Sequence, residues 1–125
     1  MSFASKHNKK AVRFTFQQIE NPQYFKLKDL FAKGFRDEKN VFTVRGAYIN
    51  HGGRYGDSAA LICDGFNINL PSHMCDEIRV MIEDPADITS INNGEVGGYV
   101  YEYQNKNGGT SYGLRWVDIE ALPFL

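Results

Sequence analysis

Apolar and polar side chains trade places along much of this chain, the period of a strand with one buried face. The alternation is cleanest in Phe66-Asn-Ile-Asn-Leu70, which turns Phe66, Ile68 and Leu70 inward and Asn67 and Asn69 outward. Val41-Phe-Thr-Val-Arg-Gly-Ala-Tyr-Ile-Asn50 is rich in the β-branched and aromatic residues that strands favour, and Gly46 inside it marks a bulge or sharp bend. Strict alternation there sets Arg45 on one face with Thr43 and Ala47, and Tyr48 on the core face with Phe42 and Val44. Ser58-Ala-Ala-Leu-Ile-Cys63 is apolar enough for a buried strand. The glycine-rich stretch His51–Asp57 and the turn Asp64-Gly65 separate these three, so they predict a meander. Ile78, Met81 and Ile82 then recur at helical spacing, after Pro71-Ser72 with Ser72 as N-cap and before the stop at Asp84-Pro85. Ala86–Ile91 adds another turn or two, and a hairpin from Val96 to Ile119 supplies two further strands. Tyr24-Phe-Lys-Leu-Lys28 alternates apolar and basic residues, and Ala32–Asn40 reads as a loop.

The resulting order is strand, strand, strand, helix, strand, strand. It predicts a mainly β chain, a five-stranded oligonucleotide/oligosaccharide-binding (OB) barrel with one helix between strands three and four. At 125 residues the chain makes a single domain, with residues 1–11 expected to be a flexible polar start and 119–125 a tail.

Tyr99, Tyr101 and Tyr103 form one stripe on the hairpin, and its register decides what the stripe is for. A two-residue turn at Asn107-Gly108 pairs Tyr103 with Tyr112, Tyr101 with Leu114 and Tyr99 with Trp116. That register, the first expectation, puts the rings in the core. A three- or five-residue turn pairs Val100 with Leu114 and Gly98 with Trp116. The tyrosines then share an open face with Arg115, as a stacking platform would.

The net charge of −1 hides an uneven split. Residues 1–60 carry 11 Lys and Arg against 5 Asp and Glu, whereas residues 61–125 carry 3 against 10. Such a molecule has a basic side suited to phosphate and an acidic side suited to water or protein. No run of about 18 apolar residues exists to span a membrane, and the first residues lack the apolar core of a signal peptide. The expectation is a cytoplasmic protein in which Cys63 and Cys75 are free, buried thiols. His73-Met74-Cys75 lacks a second ligand pair for zinc. No nucleophile–base motif or phosphate-binding loop is present, so neither an enzyme nor a bound cofactor is expected. The one catalytic alternative is a metal shared by Asp57, Asp64 and Asp118.

Phe25-Lys-Leu-Lys-Asp-Leu30, Tyr55-Gly-Asp-Ser58, Asn69-Leu-Pro-Ser-His-Met74 and Gly113-Leu-Arg-Trp-Val-Asp118 together resemble small single-stranded DNA-binding proteins. The similar proteins are those of bacteriophages and mobile elements in low-GC Gram-positive bacteria, the lactococcal phage members among them. The resemblance implies an OB fold and sequence-tolerant single-strand binding in phage or element DNA replication and recombination. Chemistry, rather than the resemblance, selects the contact residues. A positive groove with stacking rings is what such binding needs. Arg54 and Tyr55 in the glycine-rich loop, Lys106 in the hairpin turn, Arg45 on the first long strand, and Lys26, Lys28, Arg115, Tyr101 and Tyr103 are the candidates. The last residues are similar to the acidic tip ending in Pro-Phe with which bacterial single-strand binders dock replication or recombination proteins, which nominates Pro123 and Phe124. Packing of Leu122 and Phe124 on the chain's own domain is the simpler reading of that tail. A homo-dimer or tetramer is expected, because an exposed strand edge suits pairing. Alternatives are a protein-interaction module using the acidic helix (Asp76, Glu77, Glu83, Asp84, Asp87) and carbohydrate binding on the same rings.

Overall fold

The computed structural model describes residues 14–16, 20–53 and 56–119. Six strands form one sheet in the order β1-β4-β3-β2-β5-β6, curled into a half-barrel. They are β1 (Tyr24–Lys26), β2 (Phe42–Gly53), β3 (Gly56–Cys63), β4 (Asn67–Asn69), β5 (Val96–Gln104) and β6 (Thr110–Asp118). The helices are α1 (Leu27–Ala32), α2 (Cys75–Glu83) and α3 (Pro85–Asn92), with a 3-10 turn at Ser72–Met74. No helix among the described residues is long and apolar enough to cross a membrane.

The expected meander is present, as β2 pairs antiparallel with β3 and β3 with β4. Among the described residues the strands number six, not five. The additional strand, β1, runs parallel to β4 and pairs Lys26 with Asn69. The alternation of Tyr24–Lys28 holds for only three residues, because the chain turns into α1 at Leu27. Asp29 accepts a hydrogen bond from the Lys26 backbone N–H at 2.9 Å, which holds the entry to that helix. Leu27 and Leu30 enter the core from α1. Its end is a Schellman turn, with Phe35 N–H on the Leu30 carbonyl, Gly34 N–H on the Phe31 carbonyl, and Gly34 at φ 104°. β1 also explains why Asn67 is buried, against the sequence expectation. With strands on both sides, β4 lies inside the sheet, and Asn67 is covered between Tyr24 and Ile62.

The bulge foreseen at Gly46 is real and reaches further than strict alternation allowed. Val44 pairs with Cys63 but Gly46 with Ile62, so Arg45 is the extra residue. Every side chain after it changes face. Ala47 joins Phe42 and Val44 in the core, whereas Tyr48 goes to the outer face and its hydroxyl lies 2.6 Å from that of Tyr24.

The helix expected between the third and fourth meander and hairpin strands is divided. Pro85 at the start of α3 cannot continue α2, and Asp84 caps α3 by accepting from the N–H groups of Ala86 and Asp87. Ser72 does not cap α2, since the 3-10 turn intervenes and no side chain caps the first residue of the helix. Ile78 of α2 and Ile91 of α3 meet Leu61, Ile68, Val44 and Val100 of the sheet in the core. Cys63 and Cys75 are free and buried, and burial beside Asp64 pushes the Cys63 thiol well above its ordinary pKa.

Candidate nucleic-acid interface

The hairpin register is the second of the two expected, not the first. Val100 pairs with Leu114, Gly98 with Trp116 and Tyr103 with Ser111. The turn sets this. Asn105 and Gly109 are joined backbone to backbone, and Asn105 Oδ1 accepts from the N–H groups of Asn107 and Gly109. Asn105 Nδ2 donates to Ser111 Oγ at 2.9 Å. One amide side chain thus organises a five-residue loop where Asn107-Gly108 alone would have made a two-residue turn.

The register turns Val100, Leu114 and Trp116 toward the core and Tyr99, Tyr101 and Tyr103 away from it. Tyr101 is 38% exposed and Tyr103 40%. Their ring centroids stand 5.7 Å apart, tilted by 36°. The guanidinium of Arg115 lies 5.3 Å from the Tyr101 ring centre, close enough for a cation–π contact. Two exposed rings and a cation therefore share one strand face, with Lys106 exposed at the tip beyond them.

A cleft of about 490 Å³ opens beside this face, where the hairpin passes the start of α1 and the end of β4. Lys26, Lys28, His73, Tyr103 and Ser111 line it over an apolar patch that includes Leu70. The structure thus brings Lys26, Lys28 and Tyr103 together, because α1, entered from β1, packs against the hairpin strands β5 and β6. Lys26, Lys28 and Lys106 make no ion pair among the described residues, whereas Lys33 and Arg36 are folded over the rings of Phe25 and Phe31. In the sequence His73 stands out only as a zinc ligand without a second pair, and Ser111 does not stand out at all. The unforeseen pairing of β1 with β4 relates His73, just past β4, to the lysines, and the packing of α1 against β5 and β6 relates Ser111 to them.

Arg45 stands apart. It shares the outer face with the tyrosines but sits at the far end of β5, beside Gly94, and forms a two-point pair with Asp64 at 3.0 and 3.2 Å. Its charge is already answered by a carboxylate. Arg54 and Tyr55, and Pro123 and Phe124, lie outside the described residues.

The three aspartates of the metal alternative are not gathered into one site. Asp57 holds Arg79 and His51, Asp64 holds Arg45, and Asp118 ends β6. The hydrogen bond from the Gly52 backbone, with Arg79 and His51, keeps the Asp57 carboxyl below its usual pKa. Among the described residues no three metal-ligating side chains form a group.

Comparison with known proteins returned no matching family model, no similar curated protein and no similar solved structure.

Proposed function

We propose that this chain is a sequence-tolerant single-stranded DNA-binding protein that works in phage or mobile-element DNA replication and recombination inside a bacterial host. The observation that carries the reading is the exposed Tyr101–Tyr103 pair, flanked by Arg115 and running into a cleft with two lysines that make no ion pair among the described residues. Stacking rings serve any base, because every base has a π-face, and cations along the same path serve the backbone. Stacking on ring faces and charge attraction to phosphate, the two interactions this set offers, do not depend on which base is present.

The OB reading of β2–β6 supports it. A three-strand meander is followed by helices and a hairpin, and the first meander strand pairs with the first hairpin strand at Phe42–Gly98 and Thr43–Gly97. In that reading β1 and α1 are an addition that contributes Lys26 and Lys28. The sequence resemblance to phage single-strand binders points the same way. A second copy pairing along the edge strand β6 belongs to the proposal, as does a role in binding rather than catalysis.

The test is a fluorescence anisotropy titration of the whole chain with labelled oligo(dT) and a duplex of equal length at two salt concentrations. Binding to oligo(dT) should exceed duplex binding and fall steeply with salt. No binding to oligo(dT) even in dilute buffer would overturn the proposal, and salt-insensitive binding of oligosaccharides would replace it.

A further inference from the structure

A second concavity, of about 480 Å³, lies on another part of the surface, between α2, α3 and the end of β6. Its walls are apolar, with Val80, Met81 and Trp116 among them. Val80 is 68% exposed, and among the described residues it is the only aliphatic one of the exposed large apolar side chains. The rim is acidic: Glu77, Asp87 and Asp118. Glu77 accepts a hydrogen bond from the Trp116 indole N–H at 2.6 Å, which fixes the ring in the wall. Among the described residues the carboxylates of Asp87 and Asp118 have no partner, and no Lys or Arg lines the groove. The nearest cation on the same helix, Arg79, is held by Asp57 and Asp76.

We propose that this groove docks a basic peptide segment of another protein, one that inserts an apolar side chain beside Val80 and Trp116 and sets lysine or arginine against Glu77, Asp87 and Asp118. Charge complementarity selects that occupant. Three carboxylates around an apolar floor repel nucleic acid and repel one another, and a ligand must bring both cations and apolar surface to satisfy them. The concentration of 10 acidic against 3 basic residues in positions 61–125 extends the same field beyond the groove. None of the groove's lining residues lines the lysine cleft, so the inference stands apart from the DNA-binding proposal.

The groove carries its own reporter, since Trp116 is the only tryptophan in the chain. The experiment titrates the whole protein with a labelled octapeptide, Lys-Lys-Leu-Lys-Lys-Phe-Lys-Lys, following peptide anisotropy and tryptophan emission together. An octalysine control lacks the apolar side chains. Binding should shift the emission, and octalysine should bind at least about tenfold more weakly. Val80→Asn, at an exposed position, and the conservative pair Asp87→Asn with Asp118→Asn should each weaken the octapeptide by about tenfold while leaving oligo(dT) binding unchanged. Four results would overturn the proposal: no octapeptide binding, equal binding of octalysine, indifference to both sets of variants, or binding seen only after residues 120–125 are removed. The last would mean that the chain's own tail takes the place of a partner.

Discussion

The ring of Tyr101 lies across the backbone of Gly113, its partner on the neighbouring strand. A Cβ placed on Gly113 would come within 2.5 Å of Tyr101 Cζ. The absence of a side chain at residue 113 is therefore what lets the ring lie flat, tilted toward Tyr103 and under Arg115. Large rings shielding glycines across a strand pair are a known device for setting register. Here the same contact prepares a surface.

Gly113→Ala should accordingly lift the Tyr101 ring without unfolding the hairpin, because the ring is exposed and free to swing. Oligo(dT) affinity should fall several-fold while the melting temperature changes little. A melting temperature that drops steeply with unchanged affinity would place the contact in the folding of the hairpin and not in the platform.

Tyr103 is the ring that both stacks beside Tyr101 and reaches the lysine cleft. Tyr103→Ala should weaken oligo(dT) binding by about 1–3 kcal/mol. Tyr103→Phe should retain most of the affinity, since the face of the ring does the stacking. Equal losses in the two variants would point to the hydroxyl and argue against a stacked base.

The cations divide into two groups. Lys26, Lys28, Lys106 and Arg115 have no carboxylate partner among the described residues, whereas Arg45 is held by Asp64. Substituting each of the first four by Gln should flatten the log–log salt dependence of binding by about 0.7 per lost phosphate contact. Arg45→Gln should leave the slope alone. A slope change at Arg45 equal to that of the lysines would mean that Asp64 releases it to the strand.

The elements were legible where local pattern decides them. The β-branched run of β2, the period of two around Ile68 and the Asp84-Pro85 stop all read directly from residue type. What was not legible depends on contacts distant in sequence or on one extra residue. Gly46 announced a bulge, but whether one residue is skipped can be known only from the partner strand, and that skip exchanged Ala47 and Tyr48. Asn105 reads as an ordinary turn residue until Ser111 and Gly109 are placed against it, and those bonds chose the register that exposes the tyrosines. β1 and α1 were hidden because three residues of strand leave almost no periodic signal. The packing of α1 against the hairpin is also why Lys26 and Lys28 could be proposed as cations in the sequence but not assigned to a cleft with Tyr103.

The displaced Tyr48 gives a pH dependence that tests the bulge itself. Its phenol is pushed up to about 12, first by burial and then by the neighbouring Tyr24 hydroxyl 2.6 Å away. A tyrosine in the unfolded chain ionises near pH 10. The folded state therefore favours the protonated phenol, and the stability this supplies is complete below about pH 10 and is lost as the pH rises toward about 12. Melting temperatures at pH 9 and pH 11.5 should differ more for the native chain than for Tyr48→Phe, which cannot ionise. Were both proteins to lose the same amount, Tyr48 would not occupy the covered outer-face position that the extra residue at Arg45 gives it, and the register of β2 after the bulge would have to be revised.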